Sequence, residues 1–184
     1  MKVAFLGWAP GFDLRRIGGF EAIVRRLADE IAGHGHSVEV VLYDSRSTGD
    51  RTESVGRSLV RVREFREIGS AFASVLTGKY DCILDCHVVP TAAWPKYLSW
   101  KRRIGGRSRL VKVYVSSGGG PLWRRIRYAV NNHGTDAVLC ISPRLVRSVA
   151  AESRAQPEWL PPPVPDRLFQ ITRERKQSSA TVAF

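Results

Sequence analysis

Val3-Ala4-Phe5-Leu6-Gly7, followed by Arg16-Ile17-Gly18-Gly19-Phe20-Glu21, is the stretch that decides the fold. The first run is apolar, short and free of alternation, the signature of a strand buried on both faces. After the second run, Phe20, Ile23, Val24, Leu27, Ala28 and Ile31 recur at spacings of three and four, which predicts an amphipathic helix over about 19–32. Burying Phe20, Ile23, Val24, Leu27 and Ile31 is worth at most about 8–15 kcal/mol, enough to fix the helix on a sheet. Gly33 is expected to stop it, as a residue that tolerates positive φ just past a helix end. Gly18 and Gly19 leave backbone N–H groups uncovered at the helix mouth, where the dipole also favours an anion. A plainer reading needs them only for positive φ or for a close approach to a neighbouring strand. Glu21 suits the first turn as a dipole-matched carboxylate.

The alternation continues along the chain. Strands are expected at 37–43, around Leu59 to Val62, at 82–86, 110–115 and 137–142. Helices are expected over 68–76, through Ala92 to Trp100 with Pro95 at or near the start, over 121–131 and over 144–152. Asp44 to Arg57 is polar, lacks apolar periodicity and reads as a loop. Leu160-Pro161-Pro162-Pro163-Val164-Pro165 can continue neither a helix nor a central strand. Strand and helix in alternation imply a doubly wound parallel α/β sheet with helices on both faces.

Composition narrows the partners. Across 184 residues the chain carries a net charge of +12, mostly as clustered arginine, and 43% apolar residues, which suits one globular domain. That charge favours anionic partners. Cys82, Cys86 and Cys140 lie inside apolar runs and have no metal-ligand spacing, and Cys86 and His87 fall on opposite faces of an extended strand. With no leader-like start and no membrane span, the expected location is cytoplasmic, or peripheral on the inner face of the plasma membrane. Trp94 to Arg103 mixes aromatics with cations and fits either an acidic membrane interface or a solvated helix whose aromatics pack inward. Nucleic acid is not expected, because no recognised recognition setting is present. A nicotinamide oxidoreductase is disfavoured because no GxGxxG follows the first strand, and Trp8 and Pro10 put bulk where a pyrophosphate would press.

Taken in order, these residues resemble the N-terminal half of the family 4 retaining glycosyltransferases, whose GT-B fold pairs two facing Rossmann-like domains. The likeness rests on Gly18-Gly19-Phe20-Glu21, on Gly35-His36-Ser37-Val38, and on Tyr80-Asp81 with His87. It continues through Thr135-Asp136-Ala137-Val138 with Ser142, and ends with Leu160 to Asp166 and Phe169. The resemblance implies that 1–170 is an acceptor-side domain and 171–184 a linker and the start of a donor-binding domain. It implies transfer of a sugar from a nucleoside-diphosphate sugar to a hydroxyl acceptor, a glycan or a lipid. Configuration would be retained, with no required cofactor or metal and no activity in the fragment alone. Gly18 and Gly19 would lie on the donor-diphosphate side, and His87 would contact the sugar or the acceptor. Ser142 and the glycine-rich loop would meet substrate. By residue chemistry alone, Ser117, Gly118 and Gly119 before Pro121 read as a second phosphate or sugar cradle, or equally as a plain connecting loop. Two departures leave the acceptor open: Asp85 stands where a histidine is common, and Ser116 to Gly120 replaces a loop that often carries one. The alternative is a non-catalytic basic α/β domain that binds an anionic membrane surface or an acidic partner.

Overall fold

The computed structural model describes residues 1–9, 19–46, 48–55, 57–86, 89–115 and 121–161, with the side chains of 19–21 and 121 set aside. Eight strands form one sheet: β1 (Lys2–Trp8), β2 (Ser37–Tyr43), β3 (Gly49–Val55), β4 (Ser58–Glu64), β5 (Cys82–Asp85), β6 (Arg109–Tyr114), β7 (Ala137–Cys140) and β8 (Glu158–Trp159). Their spatial order is β3-β4-β2-β1-β5-β6-β7-β8, and every pair is parallel except β3 with β4. Five helices connect them: α1 (Gly19–Gly33), α2 (Ile68–Thr77), α3 (Trp94–Ile104), α4 (Pro121–Asn132) and α5 (Pro143–Glu152). The expected doubly wound α/β sheet is the observed one.

Alternation along β1 divides the core. Val3 and Phe5 face α1, where Val24 and Ala28 meet Val38, Val40 and Leu42. Ala4 and Leu6 face α2 and α3, where Phe72, Tyr97, Trp100 and Ile104 close the opposite layer. Phe72 and Trp100 stack with centroids 4.7 Å apart. Further along that layer, Tyr128 of α4 and Leu145 and Val149 of α5 pack on Tyr114, Val138 and Cys140. Thus α1 covers one face, while α2, α3, α4 and α5 cover the other.

The same device appears twice at the amino edge. The Lys2 N–H donates to Asp81 Oδ2 at 2.6 Å, while the Asp81 N–H donates to the Lys2 carbonyl at 2.9 Å. Likewise the Leu110 N–H donates to Asp136 Oδ2 at 2.7 Å, and the Asp136 N–H returns to the Leu110 carbonyl at 2.9 Å. Each aspartate sits just before a strand and holds an amide at the start of the neighbouring strand, the first of β1 and the second of β6, fixing parallel register without a turn. Tyr80-Asp81 and Thr135-Asp136 therefore have a structural reason.

Four expectations need correction. Gly49–Val55 is a strand where a loop was expected, because β3 is an antiparallel edge held by charge and lacks apolar periodicity. Arg51 Nη1 meets Glu64 at 2.6 Å, and Asp50 pairs with Arg61 and Arg63. The short β8 adds an edge that sequence patterning missed, since two residues carry no period. Strand β7 stops at Cys140, two residues short of the expected end, because Ser142 caps α5. The first helix ends through Gly35 and not through Gly33. Gly35 has φ +79°, its N–H reaches the Ala32 carbonyl at 2.9 Å, and the His36 N–H reaches that of Ile31 at 3.3 Å.

A Cβ at Gly35 would meet nothing within 4 Å, so substitution there acts through the backbone alone. Gly35→Ala should lower stability by about 1–2 kcal/mol in urea titration. Gly33→Ala, in ordinary helical backbone, should leave stability unchanged or raise it slightly.

Candidate functional site

Strand order reverses direction at β1, since the chain proceeds to β2 on one side and resumes at β5 on the other. The connection after β1 leads to α1 on one face, and the connection after β5 leads to α3 on the opposite face. The carboxyl ends of β1 and β5 are thus the topological switch point of the sheet, the place whose crevice binds ligands in open α/β folds. Gly19 opens α1 at that edge. The Cys86 N–H still donates to the Leu6 carbonyl at 3.0 Å, so β5 stays paired beside β1 up to its last described neighbour.

Gly18, His87, Ser117, Gly118 and Gly119 lie outside the described residues. Gly19 lies within them as the first residue of α1. Ser142 lies at the same edge, past β7, and its Oγ accepts the Leu145 N–H at 3.3 Å as the cap of α5.

Sequence reasoning missed two groups here. Trp8 ends β1 with 46% of its surface exposed, and its Nε1 donates to Asp44 Oδ2 at 2.7 Å. Asp44 takes φ +57°, a left-handed geometry that asparagine and aspartate tolerate best among side-chain-bearing residues. A tethered, exposed indole at the mouth of the crevice offers a flat apolar face to a ring. The only hint in sequence was the bulk of Trp8, read there as an obstacle to pyrophosphate.

The second group lies beneath the crevice. Asp85 and Lys112 are register partners on β5 and β6, 0% and 1% exposed, with Lys112 Nζ 3.1 Å from Asp85 Oδ1. The Tyr97 hydroxyl of α3 donates to the other carboxylate oxygen. Burial, then the Asp85 charge, holds that phenol well above its ordinary range, so it stays a donor. Lys101, also buried, donates to the Asn131 carbonyl and, at 3.0 Å, to the His133 carbonyl, which joins α3 to the end of α4. Desolvation lowers its pKa to about 7, against a partial counterweight from Asp85. This network ties the carboxyl ends of β5 and β6 to α3, and α3 to the end of α4.

Other features do not build a site. Burial raises all three thiols, Cys140 to about 11, so none is poised as a thiolate. Among the described residues no group of three or more His, Cys, Asp or Glu is placed to hold a metal. A cavity of about 1000 Å³ lined by Asn132, His133, Glu152, Arg154 and Glu158 opens at the amino edge of β7, away from the strand ends that bind ligands.

The buried pair generates two predictions. Lys112→Met should cost about 3–5 kcal/mol by leaving Asp85 buried and uncompensated, whereas Asp85→Leu with Lys112→Met should recover much of that loss in a double-mutant cycle. Between pH 7 and about 10 the unfolded chain keeps the Lys101 proton that the folded chain releases. Stability from this group therefore rises with pH across that window, and Lys101→Met should abolish the rise in denaturant midpoints.

No family model matches the chain, and no curated protein matches it in sequence. Among solved structures it is similar to an alpha-glucosyltransferase in complex with UDP and DNA containing a HMU base, at 15% identity and TM-score 0.60, covering 89% of this chain and 43% of that one. The alpha-glucosyltransferase in complex with UDP-glucose and DNA containing an abasic site gives 16%, TM-score 0.56 and the same coverages. A sucrose-phosphate synthase from Thermosynechococcus elongatus gives 13% identity and TM-score 0.56, covering 98% of this chain and 100% of that one. The chain thus spans about two fifths of the alpha-glucosyltransferase chains. At such identities the likeness is one of fold, and the fold is the Rossmann-like α/β unit found in GT-B glycosyltransferases.

Proposed function

We propose that this chain is the N-terminal, acceptor-side domain of a retaining glycosyltransferase of family 4. The observation that carries the reading is the switch point of the sheet between β1 and β5, on a fold shared with enzymes solved in complex with UDP or UDP-glucose; Gly18-Gly19 and His87 follow these two strands in the sequence. A nucleoside-diphosphate sugar is the donor, and a second, facing domain holds most of it. That the chain spans about two fifths of the alpha-glucosyltransferase chains supports such a division.

In this reading the acceptor hydroxyl attacks the anomeric carbon on the face from which the diphosphate departs, and the leaving oxygen takes the hydroxyl proton. Products are the glycoside, with configuration retained, and the nucleoside diphosphate. Backbone N–H groups at Gly18 and Gly19, aided by the α1 dipole, support charge growing on the leaving phosphate. His87 contacts the sugar or acceptor, and Ser117, Gly118, Gly119 and Ser142 contact substrate. No metal or other cofactor is called for. The protein acts in the cytoplasm, and residues 1–170 form the domain.

The test measures nucleoside-diphosphate release from UDP-glucose and related donors across hydroxyl acceptors, with anomeric configuration read by NMR. A polypeptide joining this domain to its donor half should turn over with retention, and the 184-residue chain alone should not. His87→Ala should lower kcat/KM by about 10²-fold or more at unchanged thermal stability. Turnover by the isolated chain, or an inverted product, would overturn the reading.

A further inference from the structure

The sheet ends in two very different edges. β8 is two residues long, too short to template another strand. β3 runs for seven residues, pairs with β4 without a bulge from Gly49 to Val55, and holds neither proline nor lysine. Among the described residues no strand lies on its outer side. Val55 pairs with Ser58 across a two-residue connection, so that pair is hydrogen-bonded, and in an antiparallel ladder such pairs alternate with unbonded ones. Gly49, Arg51, Glu53 and Val55 therefore direct their backbone N–H and C=O groups at β4. Asp50, Thr52 and Ser54 direct theirs outward, and all three residues are exposed.

The charges of this strand are complementary to themselves. A second β3 laid antiparallel must set outward residues opposite outward residues, because both supply hydrogen bonds there. Two-fold symmetry about Thr52 sets Thr52 against Thr52, Asp50 against Ser54, and Arg51 against Glu53 in both directions. A slip of two residues one way would set Arg51 against Arg51, and the other way Glu53 against Glu53. One register is favoured and its neighbours are penalised. Within one copy Arg51 already meets Glu53 and Glu64, each at 2.6 Å, so a second copy extends a cluster whose side chains are already ordered. A strand of another protein has no reason to carry this pattern, which the chain itself supplies.

We propose that this protein forms a two-fold dimer in which β3 of one copy pairs antiparallel with β3 of the second, centred on Thr52. About six N–H···O bonds from Asp50, Thr52 and Ser54, with reciprocal Arg51–Glu53 pairs, hold the strands together. The strip they cover is small beside a standard interface of about 1,600 Å², so the dissociation constant is on the order of 10–100 μM. Because the two β3 strands run antiparallel, the carboxyl ends of the parallel strands in the two copies point to opposite edges of the joined sheet. Neither copy covers the switch point of the other. The dimer uses no residue assigned to sugar transfer and stands apart from the glycosyltransferase reading.

Sedimentation equilibrium of the 184-residue chain from about 1 to about 500 μM should show monomer converting to dimer. Thr52→Pro removes only an outward N–H, so it should weaken the dimer about tenfold or more while keeping the urea midpoint close to that of the wild type. Arg51→Glu and Glu53→Arg should each weaken self-association about tenfold, because each sets like charges opposite one another. An equimolar mixture of these two variants should regain a dimer of near wild-type affinity, a recovery that damage to the fold cannot produce. Thr52→Cys should cross-link to its own copy on oxidation, since the paired Cα atoms lie about 5.5 Å apart, whereas Ser54→Cys, about four residues out of register with itself, should not. The proposal fails if the chain stays monomeric over the whole range, which would leave the edge to a strand of another protein. It fails equally if the charge-reversed variants do not associate when mixed, if Thr52→Pro dimerises as the wild type does, or if Ser54→Cys cross-links as readily as Thr52→Cys.

Discussion

The ladder that β1 makes with β2 on one side and β5 on the other is the contact on which the rest of the molecule hangs. Residues 2–8 pair with 37–43, and Val3 to Leu6 pair with Cys82 to Asp85, all in parallel. Parallel neighbours cannot be joined by a tight turn, so each connection crosses a face of the sheet as a helix. Because β1 lies between the halves, the crossovers leave it in opposite directions and open the crevice at its carboxyl end. A one-residue slip in this ladder would exchange Phe5 for Leu6 between the two cores and move the loops that follow β1 and β5 relative to each other.

Polar groups hold that register at both edges of the sheet. Asp81 captures the first amide of β1 and Asp136 the second of β6 at the amino edge, each through a reciprocal pair of hydrogen bonds. Near the carboxyl edge Asp85, Lys112 and Tyr97 join β5, β6 and α3 through charges taken out of water. Such a pair adds little net stability over apolar residues of the same size, but it penalises every arrangement that leaves one charge alone. Its position near the carboxyl ends of β5 and β6 makes the alignment of those two strand ends a property of the core.

Much of this was legible in the residues. Six of the eight strands and all five helices follow runs that the sequence displays, with small shifts of boundary, whereas β3 and β8 do not. The hairpin strand β3 escaped because its stabilising pairs, Asp50 with Arg61 and Arg63, and Arg51 with Glu64, are cross-strand and leave no trace of period two in apolar residues. Gly35 escaped because Gly33 also follows the apolar stripe, and only the backbone geometry distinguishes a helical glycine from a left-handed one. The candidate crevice was legible in part: Gly18, Gly19 and His87 sit after apolar runs, and strand ends are where such folds bind ligands. Trp8 with Asp44 was not, since 36 residues separate partners that meet only when β1 and β2 align.

The sequence by itself determined the secondary elements, their parallel alternation and the excess of positive charge, because periodicity and composition act locally and need no knowledge of partners. Tertiary structure decided which side chains face inward. Two adjacent helices rich in tryptophan and arginine took opposite fates. Tyr97 and Trp100 of α3 pack into the apolar layer with β1, β5 and α2, whereas α4 lies over Tyr114 and Val138 through Tyr128, with Val130 and the buried Asn131 on the same side, which leaves Leu122, Trp123 and Ile126 in solvent. Lys101 and Lys112, indistinguishable in sequence from surface cations, became buried because carbonyl and carboxylate oxygens from distant segments converge on them. An amphipathic pattern specifies how wide an apolar arc is; how much of that arc is covered depends on the width of the surface it meets.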